Sequence, residues 1–210
     1  MSEPDLELDV AWQRHVSSDR GLLDGLLARH REKQRRYHTA THVAWVIRHV
    51  EELAATEPVD HLDEIVAAAF YHDAIYEPTH PANERASARL ARRDLATLGW
   101  STDAIDRAAT MIEATEHGSE ASGRPSGDAA ILLDADLAVL GSDPAAYSAY
   151  VAGVRAEYRH VDDPDWRVGR AAVLQAFLDR PAIFATPTSR ERWETRARAN
   201  LAAELASLTD

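Results

Sequence analysis

The amino-acid sequence predicts an all-α protein, a single-domain bundle of about ten helices. Three observations carry this. Ala, Leu, Arg and Glu, all strong helix formers, dominate nearly every segment. The prolines fall between apolar-periodic runs or at their first positions, where proline is tolerated. No run shows the sustained polar–apolar alternation of a half-buried strand. At 210 residues the chain suits one domain. A chain of that size buries about 70% of its unfolded surface without cross-links.

The predicted helices run 5–16, 19–32, 39–56, 60–75, 81–98, 102–116, 128–140, 144–160, 164–179 and 189–207. The first two, within 1–32, are expected to pack on a core formed by 35–140. The helices of 141–210 are expected to close the pocket. In the fourth, Asp60 precedes HLDEIVAAAF as a start signal and Asp63 falls in the first turn. HGSEASGRPSG, 117–127, is small, polar and too short to separate domains. ILLDADLAVL, 131–140, is the one stretch that passes for a strand; its apolar positions also fit a buried helix, which its neighbours favour. Pro144 and Pro164 sit near the next two starts. Thr188 and Glu191 form a T-x-x-E capping box before the last helix.

Composition excludes several classes. Without cysteine there is no disulfide, thiolate zinc site, iron–sulfur cluster or Cys nucleophile, so any metal is held by His, Asp, Glu or water. Hydrophobic residues make up 45% and charged residues 28%, the balance of a soluble globular protein. The acidic start MSEPDLELDV has no apolar signal core, and no apolar run approaches the roughly 18 residues of a membrane span. A cytoplasmic protein with no membrane partner is expected, as monomer or homodimer. A net charge of −12 argues against a duplex nucleic-acid partner. It leaves small anionic substrates open, because local arginines override a global sign.

Four points carry metal-capable residues on apolar helices. His38 and His42, four apart in RYHTATHVAW, share a helix face, with His49 a competitor seven beyond. His72 and Asp73 interrupt the apolar run VAAAFYHDAIY. Two buried polar groups there need partners, since each left unpaired costs roughly 1–3 kcal/mol. Glu113 and His117 lie in MIEATEHG, and Asp134 and Asp136 in LLDADLAVLG. The two aspartates project about 200° apart on a helix, so only one faces a given ion.

This order of His42, His72-Asp73 and a later aspartate resembles the HD superfamily of metal-dependent phosphohydrolases, all-α bundles with an H…HD…D pattern. The resemblance implies metal ligation by His42, His72, Asp73 and Asp136. Asp136, which precedes a leucine, matches better than Asp134, left beside the ligands. Tyr37-His38-Thr39-Ala40-Thr41-His42 is similar to the Y-H-x-x-x-H of cyclic-nucleotide phosphodiesterases, which implies His42 as ligand and His38 as proton donor. Thr39 replaces an asparagine found there, so the cyclic-nucleotide substrate does not transfer. RRYHTATH, FYHDAIY, ANERASA, ATEH, LLDADLAVLG, VRAEY and ARANLAAEL resemble a narrower bacterial group of predicted HD phosphohydrolases whose substrate is not established.

Two imidazoles and two carboxylates suit Mn, Fe, Co, Ni, Zn or Mg ions. The resemblance implies hydrolysis of a phosphate monoester or diester, such as that of a nucleotide, by attack of a metal-bound water. Asp73 would orient that water and His38 protonate the leaving oxygen. Candidate substrate contacts are Arg35, Arg155, Glu84 and His117. His15, His30, His61, His80 and His160 read as solvated, and the five tryptophans as packing residues, one of them able to wall the pocket. The rival readings are a two-iron oxygen enzyme, disfavoured by the shortage of further ligands, and a helical binding or sensory module with a structural metal and no hydrolytic activity.

Overall fold

A computed structural model of the chain describes residues 3–78, 82–116 and 126–209. Every regular element among the described residues is helical. In chain order these are α1 (Glu3–His15), α2 (Arg20–His30), α3 (Ala40–Ala54), α4 (Leu62–Tyr71), α5 (Asn83–Thr97), α6 (Thr102–Glu113), α7 (Asp128–Leu137), α8 (Pro144–Glu157) and α9 (Asp163–Leu178). A 3-10 turn, Ala138–Gly141, prolongs α7. The C-terminal helix is continuous in three pieces: Pro187–Ser189, a π-helical turn at Arg190–Glu194, and Thr195–Thr209. No described helix is long and apolar enough to cross a membrane.

The bundle is organised around α4. Its residues Ile65–Ala69 are wholly buried, and it packs against α1, α3, α5, α6 and α7. A helix that is apolar all round belongs in a core, and the three consecutive alanines 67–69 let neighbouring helices come close. Trp12 of α1 meets Phe70 edge-on at a ring separation of 5.1 Å. The C-terminal end of this innermost helix delivers His72 and Asp73. On one side lies α3, which carries His42; on another α7, which carries Asp136.

Helix starts follow local chemistry. Asp19, Ser101, Asp143 and Asp162 each accept a backbone N–H as N-caps of α2, α6, α8 and α9. Pro144 and Pro164 occupy first-turn positions, as expected. Two expected signals act differently. Thr186, not Thr188, caps the last helix, because Pro187 takes its first position and Ser189 N–H donates to the Thr186 hydroxyl. Asp60 caps nothing; its N–H donates to Asp128, and α4 starts at Leu62. α4 also stops at Tyr71, four residues short of expectation, so that His72–Ile75 turn out of the helix. Most of the 117–127 linker lies outside the described residues.

Two glycines permit close approach. A Cβ at Gly141 would meet backbone atoms of Trp193 at 2.9 Å, so the 3-10 turn and the π-turn touch only because that side chain is absent. A Cβ at Gly153 would lie 3.1 Å from Tyr37 Cβ, so α8 packs tightly on the segment leading into α3.

Candidate metal centre

Three helices bring four groups together. His42 Nε2 lies 3.2 Å from His72 Nε2, 3.2 Å from Asp136 Oδ1 and 3.5 Å from Asp73 Oδ2. His72 Nε2 lies 3.2 Å from Asp73 Oδ2 and 3.7 Å from Asp136 Oδ1. Donors bound at about 2.1 Å to one ion stand about 3.0–3.4 Å apart in octahedral or tetrahedral geometry. His42, His72 and Asp73 have the spacing to hold a metal ion, and Asp136 Oδ1 lies within 3.7 Å of both imidazole nitrogens.

The electrostatics of this cluster favour positive charge. His72 Nδ1–H donates to the Ala69 carbonyl at 2.8 Å, which turns Nε2 toward the cluster. Burial works against a charged His42, but hydrogen bonds to Asp136 and Asp73 outweigh it and raise its pKa to about 9. His72 is also raised, with burial opposed by the charge of Asp73 and the hydrogen bond to it. Burial would push Asp73 up, yet the charges of His72 and His38 hold its carboxyl well below the usual range. The Nε2 atoms of His42 and His72 and the carboxylate of Asp73, with Asp136 beside them, are donor types that suit a divalent ion.

Beside the cluster, His38 forms a dyad with Glu157. Its Nδ1 is 2.6 Å from Glu157 Oε2, and the same oxygen accepts from the Tyr76 hydroxyl at 3.0 Å. Glu157 Oε1 accepts the successive N–H groups of Arg36, Tyr37 and His38 at 2.6, 2.8 and 3.1 Å. Burial opposes ionisation of Glu157, but the hydrogen bond from His38 and those from the backbone prevail and lower its pKa to about 2. Tyr37 packs its ring 4.8 Å from that of His42.

A cavity of about 630 Å³ opens onto these groups. Its lining includes His38, His72, Asp73 and Asp136, together with Glu84, Tyr37, Tyr76, Tyr150, Tyr158, Trp166 and Arg170. Glu84 lines the cavity, and Trp166 is the one tryptophan among its lining residues. Other expectations need correction. Arg35 is not a substrate clamp. It is buried, and its guanidinium donates to the carbonyls of His38, Asp73 and Ala74 at 3.1, 2.7 and 3.1 Å. Arg155 bonds the Tyr158 and Val161 carbonyls and Asp163, and lies over the Trp166 ring at 5.2 Å. Asp134 does not support the ligands. It accepts from Ala185 N, Thr186 N and the Thr186 hydroxyl, tying α7 to the last helix start. His49 turns to the Trp45 carbonyl and stacks on that indole, away from the cluster. His30 is buried, not solvated. His80 and His117 lie outside the described residues.

Glu157 and Arg170 escaped the sequence reading. VRAEY offered Arg155 and Glu157, and charge complementarity to phosphate favoured the arginine. The available signal was position: Glu157 ends α8, where a carboxylate opposes the helix dipole and needs another reason to be there.

Comparisons with protein-family models, with curated proteins and with solved structures found no match.

Proposed function

We propose that the chain is an HD-type metal-dependent phosphohydrolase. On this reading His42, His72, Asp73 and Asp136 hold one divalent ion, and the substrate is a phosphate monoester or diester. The observation that carries it is the cluster of His42, His72 and Asp73 at metal-holding spacing, with Asp136 Oδ1 within 3.7 Å of both imidazoles, at the head of a cavity and with a fifth group, His38, beside them. When bound, the ion supplies Lewis-acid polarisation and an acidified water for attack on phosphorus. The chain's own groups do the rest. Asp73 keeps a second carboxylate oxygen to accept a proton or orient water. As the phosphorus–oxygen ester bond breaks, His38 gives a proton to the departing oxygen. Glu157 accepts from His38 Nδ1 and fixes the orientation of the ring, as the carboxylate of a His–carboxylate pair does. Tyr37 and Tyr76 wall the two histidines and restrict water.

A purely structural metal centre has no use for the His38–Glu157 dyad aimed at the same cavity, and that favours the hydrolase over the binding module. The deciding experiment combines metal analysis of the purified protein with hydrolysis of p-nitrophenyl phosphate and bis(p-nitrophenyl) phosphate in added Mn²⁺, Co²⁺ or Ni²⁺. Stoichiometric metal with turnover is the expected result. Tightly held metal with no turnover of any ester would leave the binding module standing instead.

A further inference from the structure

One wall of the cavity comes from α8, α9 and the turn between them, which contribute none of the four candidate ligands. Tyr150, Tyr158 and Trp166 line it. Tyr158 and Trp166 lie 5.5 Å apart by ring centroids, and Arg155 braces Trp166 by its cation–π contact. Burial raises the pKa of Tyr150 and Tyr158 above the usual phenol value, so both rings stay neutral. Rigid aromatic faces of this kind suit a planar ring.

The charges around the same cavity point the other way from a polyphosphate. Glu84, Glu116 and Asp165 line it. Arg170 lines it too, but its guanidinium is held bidentately by Glu204 at 2.7 and 3.0 Å and donates to the Tyr150 hydroxyl at 3.2 Å. Each phosphate beyond the one at the metal would sit among carboxylates, where like charges repel. The volume, about 630 Å³, falls in the range of ordinary small-molecule sites.

We propose that the substrate carries one phosphoryl group on a planar aromatic body of nucleoside size. Tyr158 and Trp166 take the ring, and the acidic rim selects against di- and triphosphates. This rests on the phosphohydrolase reading, and the test separates the two. Initial rates on metal-loaded protein are compared for adenosine 5′-monophosphate, ribose 5-phosphate and adenosine 5′-triphosphate. The monophosphate should exceed ribose 5-phosphate in kcat/KM by about tenfold or more, the size of one base–aromatic stack, and should exceed the triphosphate by a similar factor. Trp166→Ala should erase most of the first ratio through KM with kcat little changed, and Trp166→Phe should restore it. Ribose 5-phosphate or the triphosphate turned over as well as the monophosphate would overturn the inference while leaving a phosphohydrolase. If none of the three is hydrolysed while p-nitrophenyl phosphate or its diester is, the inference is overturned and a phosphohydrolase remains. If no ester at all turns over, the phosphohydrolase reading fails, and equilibrium dialysis of the same three compounds decides the selectivity, equal retention overturning it.

Discussion

His42 and His30 are equally hidden, at 4% and 1% exposure, and they behave oppositely. Burial, aided by the charge of Arg35, lowers His30 to about 3. At His42 the same desolvation is overcome by Asp136 and Asp73, and the pKa climbs to about 9. Depth therefore does not make a site. Two carboxylates arriving from other helices do, and they arrive at His42 alone of the two.

The comparison breaks most completely at Asp73. Asp73→Ala should remove the bound metal and lower hydrolysis by about 10³-fold or more; metal analysis beside the rate assay checks it, and retained metal would count against the ligand assignment. His38→Ala should keep the metal yet slow esters with poor leaving groups by about 10²–10⁴-fold, with activated esters affected less. An unchanged rate would remove its acid role.

Two smaller effects sharpen the contrast through pH. His42 retains a proton until pH passes about 9, so an incoming ion must expel it. Apparent metal affinity should rise about tenfold per pH unit from 7 toward 9, with proton release seen by calorimetry in buffers of different ionisation enthalpy. His30 works in the other direction. Its folded pKa, about 3, lies below its ordinary value of 6.5. Its contribution is therefore complete above pH 6.5 and is lost as pH falls toward 3, at up to about 1.4 kcal/mol per unit. Denaturant titrations of His30→Leu should show a flatter acid limb than the parent protein.

Much of this was legible in the chain. Helical periodicity, proline placement and the lack of alternation marked the bundle. The polar pair His72-Asp73 stood out because it interrupts the most apolar run. Asp134 and Asp136 show where one dimension stops being enough. Helical geometry said that they point apart, but not that Asp134 would meet the N–H groups of Ala185 and Thr186, about fifty residues away. Arg35 and Arg155 failed for a related reason. An arginine near a motif is read as a clamp on substrate, and only the folded backbone reveals which carbonyls claim it first. The start of the last helix was misplaced because a T-x-x-E pattern outweighed the stronger Thr186-Pro187 pair.

One consequence follows from the place of Arg35. Its planar cation donates to the carbonyl of His38 and to those of Asp73 and Ala74, stitching together the two stretches that supply the histidines and the aspartate. These contacts hold the candidate ligand stretches together through protein groups alone. Loading should tighten a finished structure rather than create one, and a lysine, lacking the flat fork, would leave the seam open.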